Sequence, residues 1–325
     1  MNTAFNELLQ FIKTGSKFII AGHKEPDGDC VGSQLALRSA LRRLGKEAIV
    51  CSAGPFKRSE LRIYSDQFVK IPENEDLSGT KVIVVDCSSI DRIGDLQDFL
   101  SKFPCAVIDH HVSKHLPSTP EQPVYTDSKM PSCTLLIHKL IKSLDLELKE
   151  EEATLLLFGL CTDTGFFRYL TEKNEEAVEA AAEFVRSGAS LKKIFNTMNS
   201  GKSLNSRILL GQMLSRTESH FNGRLLTSYE TLDDYNKFGL ENRDSDNLNQ
   251  LMLSIEGIEA TVIIRQECAD NCTVSLRSTD SIDVARIAYD FGGGGHKNAA
   301  GLTMKGDIPY VKQKLLEVFK NIFNC

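Results

Sequence analysis

Three short apolar runs in the N-terminal third of the chain each stop at a cluster of acids or imidazoles, and this pattern restricts the fold more than any other feature. KFIIAG (17–22) leads into HKEPDGD, KVIVVD (81–86) ends on Asp86, and CAVID (105–109) ends on Asp109, followed by His110 and His111. A fourth run, EAIVCSA (47–53), lies between the first two. Each is too short for a buried helix and reads as a strand buried on both faces. Residues 31–44, VGSQLALRSALRRL, show helical periodicity and stop at Gly45. Strands alternating with helices imply a mainly parallel sheet with helices on both faces.

Further helices are expected at about 132–144, 150–161 and 174–188. A polar, partly helical stretch, including SGKSLNS (200–206), separates this half from one of different character. There LLTSYETL (225–232), EATVIIRQE (259–267) and CTVSLRS (272–278) read as strands of a second sheet. A helix at 281–290 leads into FGGGGHKNAAG (291–301), and a last helix fills 309–323. No internal repeat is visible. The expected architecture is α/β: a domain with a mainly parallel sheet over 1–190, a helical linker over 191–215, and a smaller mixed-sheet α/β domain over 216–325. The active site is expected in the cleft between them. A length of 325 residues suits two domains, each with its own core.

Composition excludes several classes. No apolar run is long enough to cross a membrane, and the amphipathic N-terminus lacks the apolar stretch of a signal peptide. Nine cysteines, an odd number without a CxxC pair, read as buried free thiols in a reducing cytoplasm. The net charge of −6 comes without a basic stripe, so a long nucleic acid is not the expected partner. An anionic substrate would be small and met by metals and a few placed cations.

The candidate ligands lie just past the carboxyl ends of parallel strands, where this fold class places active sites. GHKEPDGD supplies His23, Asp27 and Asp29; Asp86, Asp109, His110 and His111 end later strands; Asp163, in CTDTG, is expected past the end of a helix. A lone Asp after a strand is ordinarily a turn former or N-cap. Several such motifs in one domain are not explained that way. Imidazole mixed with carboxylate suits manganese or a similar transition metal better than magnesium or calcium. A pair of such ions can activate water and stabilise the oxygens of an in-line phosphoryl displacement.

GHKEPDGD, the isolated Asp86, Asp109-His110-His111 and TDTG (162–165) together resemble the four motifs of the DHH phosphoesterase superfamily. FGGGGHKNAAG resembles the signature of the DHHA1 domain that follows the DHH domain in many members. The resemblance spans nearly the whole chain and is greatest for the nanoRNase/pAp-phosphatase branch. It implies that His23 and Asp27 bind one metal, that Asp29, His110 and Asp163 bind the other, and that Asp86 bridges them. Asp109 would orient a histidine ligand through its ring N–H, and His111 would act on the phosphoryl or leaving oxygen. Cys161, two residues before Asp163, departs from the pattern and is expected to be buried.

In the second domain, Gly292 to Gly295 are positioned to admit an anion to backbone N–H groups. By the resemblance, Arg277 and His296 bind substrate phosphate together with Gly293, Gly294 and Gly295, and Arg168 is a further candidate. The implied cofactor is two Mn²⁺ per active site, with Mg²⁺ or Co²⁺ as substitutes. The expected activity is that of a Mn-dependent phosphodiesterase or exoribonuclease, with 3′(2′),5′-bisphosphate nucleotidase activity. It would hydrolyse short oligoribonucleotides to mononucleotides and dephosphorylate pAp, without long nucleic acid or membrane as partner; a homodimer is compatible with this. The competing readings are a cyclic-dinucleotide or pApA phosphodiesterase and a non-catalytic nucleotide-binding sensor, which loss of a metal ligand would favour.

Overall fold

The computed structural model describes residues 3–71, 76–87, 90–111, 119, 121–279 and 281–323. These divide into two compact units, 1–201 and 202–325. In the first unit the strands are β1 (Lys17–Ala21), β2 (Glu47–Cys51), β3 (Thr80–Val85), β4 (Cys105–Asp109) and β5 (Val124–Thr126). Its α-helices are α1 (Thr3–Thr14), α2 (Gly28–Arg43), α3 (Gln97–Leu100), α4 (Cys133–Ser143), α5 (Glu150–Asp163), α6 (Glu175–Arg186) and α7 (Leu191–Asn199). The strand order is β2-β1-β3-β4-β5, and every pairing is parallel.

Alternation along the strands builds two apolar layers. Phe18, Ile20, Ile83, Val85, Ala106 and Ile108 pack under helices α1, α2, α4 and α5. Ile19, Ala21, Val82, Val84 and Val107 pack against Ile93, Leu96 and Leu100 on the opposite face. The chain runs from β1 outward to β2 and then returns to the other side of β1 for β3. The crevice beyond the carboxyl ends of β1 and β3 is therefore a topological switch point, where open α/β sheets bind ligands. His23 follows β1 and Asp86 follows β3, so topology alone brings these two together.

The second unit contains α8 (Leu204–Ser215), β6 (Glu218–His220), β7 (Leu225–Glu230), α9 (Leu232–Phe238), α10 (Ser245–Leu253), β8 (Ala260–Cys268), β9 (Asn271–Ser278), α11 (Val284–Asp290), β10 (Gly294–His296), β11 (Ala299–Lys305) and α12 (Ile308–Ile322). The sheet order is β10-β11-β9-β8-β7-β6, antiparallel except for the β7–β8 pair. One face packs Val274, Leu276 and Leu302 against Ile287, Val311, Leu315 and Phe319 of α11 and α12. The other places Leu226 and Ile263 against Leu209, Met213, Leu248 and Met252 of α8 and α10. Among the described residues, no helix is long and apolar enough to cross a membrane.

Two glycines set the spacing of the helices that carry the site. A Cβ on Gly32 of α2 would lie 2.5 Å from the Leu155 carbonyl oxygen of α5, and one on Gly159 of α5 would lie 3.0 Å from the Asp29 Cα. Both contacts are with backbone, so a side chain there forces the helices apart. Gly32→Ala should therefore destabilise the protein by about 1–3 kcal/mol, although Ala in an open helix would be favoured over Gly by about 1 kcal/mol. Chemical denaturation gives the sign: a lower midpoint at unchanged slope is expected.

Candidate metal centre

The site is assembled from the ends of β1, β3 and β4 and from the facing ends of α2 and α5. Asp27 N-caps α2: its Oδ1 accepts from the backbone N–H groups of Asp29 (3.1 Å) and Cys30 (3.0 Å). This fixes Asp29 in the first turn, fully buried, where its carboxylate accepts from the N–H groups of Cys133 (2.5 Å) and Thr134 (2.9 Å) at the start of α4. A helix N-terminus suits that negative charge. Asp86 follows β3 with a left-handed backbone (φ 56°), and its N–H donates to the Ile108 carbonyl at 2.9 Å. That conformation costs about 1–3 kcal/mol in a residue other than glycine. Asp tolerates it better than most.

Four carboxylates and two imidazoles converge. His110 Nε2 lies 3.3 Å from Asp86 Oδ1, 3.2 Å from Asp163 Oδ2 and 3.7 Å from Asp29 Oδ2. On the other side of Asp86, His23 Nε2 lies 3.5 Å from Asp86 Oδ2 and 3.7 Å from Asp27 Oδ1. Asp86 thus faces both imidazoles, one with each oxygen. The rings are oriented from behind: His23 Nδ1 meets the Lys24 carbonyl at 2.8 Å, and His110 Nδ1 meets the Met130 carbonyl at 3.2 Å. With Nδ1–H donated to those carbonyls, each Nε2 lone pair points into the cluster, the tautomer a metal ligand needs.

The electrostatics of the cluster call for positive charge. Burial raises the Asp29 carboxyl well above the usual range, and the charges of Asp163 and Asp86 add to this. Burial likewise raises Asp163. Burial works against charge on His110, yet Asp163 and Asp86 raise it to about 11. For His23, burial is outweighed by Asp27 and Asp86, which raise it strongly. Asp86 Oδ1 and His110 Nε2 are buried without a hydrogen-bond partner. Like charges this close share protons or bind cations, and oxygen–imidazole donors of this kind fit divalent metal ions. Ligand atoms of Asp29, His110 and Asp163 form one group compact enough to hold a cation, and those of Asp86, His110 and His111 form another.

Three details differ from the sequence reading. Asp163 is not past a helix but is the last residue of α5, so the crossing of α5 over α2 delivers it. Asp109 is buried and its Oδ1 accepts from Nδ1 of His111 at 2.7 Å, so the ring it orients is that of His111. Cys161 is buried, as expected. The thiol that faces the cluster is instead Cys30, grouped with His23 and Asp86. The signal for Cys30 was its place directly after Asp29. After Asp163, Gly165, Phe166 and Phe167 all have positive φ, 56°, 59° and 70°. For two aromatic residues this is uncommon, and it leaves Arg168 exposed beside the cluster segment.

In the second unit, strand register places the other candidates. His296 pairs with Ala299, and Ala299 pairs with Arg277. Directly paired residues share a face, so Arg277 and His296 stand on one face, two strands or roughly 10 Å apart. Arg277 donates from Nη2 to Asp246 Oδ1 at 3.2 Å and from Nη1 to the Leu276 carbonyl at 3.1 Å. His296 is exposed. The glycines have a packing role as well: a Cβ on Gly293 would lie 2.3 Å from the Gly301 carbonyl oxygen, and one on Gly295 2.4 Å from that of Ala299. Gly294 meets open space.

Residues 17–160 match the DHH family, N-terminal domain, and residues 222–324 match the DHHA1 domain. The chain belongs to the DHH/DHHA1 phosphoesterase family. It is 33% identical over 307 residues to the bifunctional oligoribonuclease and PAP phosphatase NrnA of Thermus thermophilus, covering 93% of this chain and 88% of that protein. The NrnA of Bacillus subtilis is 28% identical, with 92% of each chain covered. An exopolyphosphatase-related protein from Bacteroides fragilis has the same fold, with a TM-score of 0.86 at 22% identity over 99% of this chain and 98% of that one.

Proposed function

We propose that this DHH/DHHA1 protein is a two-cation phosphoesterase that hydrolyses short oligoribonucleotides to mononucleotides and dephosphorylates pAp. The observation that carries the reading is Asp86, buried and turned so that each of its oxygens faces a different imidazole. The Thermus thermophilus and Bacillus subtilis relatives, matched over 93% and 92% of this chain, are named oligoribonuclease and PAP phosphatase, which favours this reading over a pApA phosphodiesterase.

His23 and Asp27 would hold one cation, Asp29, His110 and Asp163 the other, with Asp86 between. The imidazole content makes Mn²⁺ the preferred ion, with Mg²⁺ or Co²⁺ as substitutes. When bound, the cations lower the pKa of water and neutralise charge on the phosphoryl oxygens. His111 donates Nδ1–H to Asp109, and its side chain is 37% exposed, leaving Nε2 for a phosphoryl or leaving oxygen. Arg277, His296 and the glycine-rich hairpin grip a remote phosphate, and Arg168 contributes a further cation. Binding energy from that remote group orients the reacting phosphorus.

The test is a profile of kcat/KM with Mn²⁺ on pAp, pApA and RNAs of graded length. Turnover should be greatest for the shortest RNAs and fall beyond roughly five nucleotides, because an acidic surface offers little to hold a longer strand. Arg277→Ala should lower kcat/KM on short RNAs by roughly ten- to a hundredfold, about 1.4–2.7 kcal/mol. It should spare bis-p-nitrophenyl phosphate, which has no remote phosphate. A flat length profile, or equal losses on both substrate types, would contradict the assignment.

A further inference from the structure

The start of α2 offers one more donor than this reading uses. A ring nitrogen of His23, a carboxylate oxygen of Asp86 and the sulfur of Cys30 all lie within 4.8 Å of one another. Cys30 is fully buried, and its backbone N–H is tied to Asp27 Oδ1. Its sulfur sits against the end of β1: a Cβ on Gly22 would lie 2.2 Å from Cys30 Sγ, so glycine is what leaves room for it. A cysteine used only as a small hydrophobe packs among hydrocarbon. Cys161 does so in the apolar layer under the helices, and Cys133, in the same layer, donates its thiol to the Ile108 carbonyl at 3.4 Å. Cys30 faces an imidazole and a carboxylate, with its sulfur 3.3 Å from the Gln34 side-chain amide.

We infer that Cys30 Sγ is an additional donor to the cation held by His23, Asp27 and Asp86, which makes this position softer than its neighbour and selective for Co²⁺, Zn²⁺ or Cd²⁺ over Mg²⁺. The inference rests on the two-cation reading. Thiolate ligands favour soft ions, whereas carboxylate and water suit Mg²⁺. The group formed by Asp29, His110 and Asp163 contains no sulfur, so the two positions differ in preference. As the sulfur–metal bond forms, the thiol proton leaves to solvent and no electron is transferred.

The test is a Co²⁺ titration of the full chain followed by absorption. Wild type should develop visible d–d bands together with a near-ultraviolet thiolate-to-cobalt charge-transfer band. Cys30→Ser and Cys30→Ala should keep the d–d bands and lose the charge-transfer band, while Cys133→Ser and Cys161→Ser keep both. Loss of even an outer-shell group weakens metal binding by about 10–100-fold. In competition, Cd²⁺ affinity should accordingly fall at least about tenfold in the Cys30 variants, with Mg²⁺ affinity unchanged. Wild-type d–d bands without charge transfer would overturn the inference, as would a charge-transfer band that survives in either Cys30 variant. Absence of any Co²⁺ band in wild type would overturn the two-cation reading, and this inference with it. If a Cys30 variant fails to fold, a wild-type spectrum with d–d bands and no charge transfer still overturns the inference.

Discussion

Replacing Asp86 with asparagine is expected to lower turnover at least about a thousandfold on every substrate while leaving the fold intact. A carboxylate between two cations gives one charged oxygen to each, and an amide cannot. Each cation supplies several kcal/mol of transition-state stabilisation, and a thousandfold corresponds to about 4 kcal/mol. The fold should survive because asparagine tolerates the left-handed backbone of residue 86 as well as aspartate does. Steady-state kinetics and denaturation in chelator measure the two effects. Wild-type turnover in Asp86→Asn would refute the assignment.

Chelation should abolish activity and also lower stability. A cation that binds only the folded chain adds about 2.7 kcal/mol at a hundred times its Kd, so melting temperature should rise with added Mn²⁺. Mn²⁺ should restore chelated protein better than Mg²⁺ or Ca²⁺, because in the proposed site His23 and His110 would contribute nitrogen donors. Equal rescue by Ca²⁺ would argue against imidazole ligation. A melting temperature indifferent to Mn²⁺ would argue against a cation in this cluster.

The cluster was legible because its residues sit where strands stop. β1, β3 and β4 are apolar runs with sharp polar ends, and a parallel sheet places such ends together. The details that the reading missed depend on packing between distant segments. Asp163 reaches His110 because Gly32 and Gly159 let α2 and α5 cross closely, and no local pattern records that crossing. Cys30 reads as one more small buried residue until its sulfur is seen against His23. The positive φ of Phe166 and Phe167 runs against their local preference and is imposed by tertiary context. Helices α9 and α10 lack a clear sequence signal because their stretch is rich in Asp and Asn, which favour caps and turns. The capping box of α9, Thr231 with Asp234, was a usable signal. In the second sheet the alternation of β9 was plain, but only register shows that Arg277 and His296 share a face.

The central claim is that Asp86 lies between two cations. Anomalous diffraction from a Mn²⁺-soaked crystal tests it most directly. Two peaks are expected, one bounded by His23, Asp27 and Asp86 and the other by Asp29, Asp86, His110 and Asp163. A single peak, or none in contact with Asp86, would contradict the account.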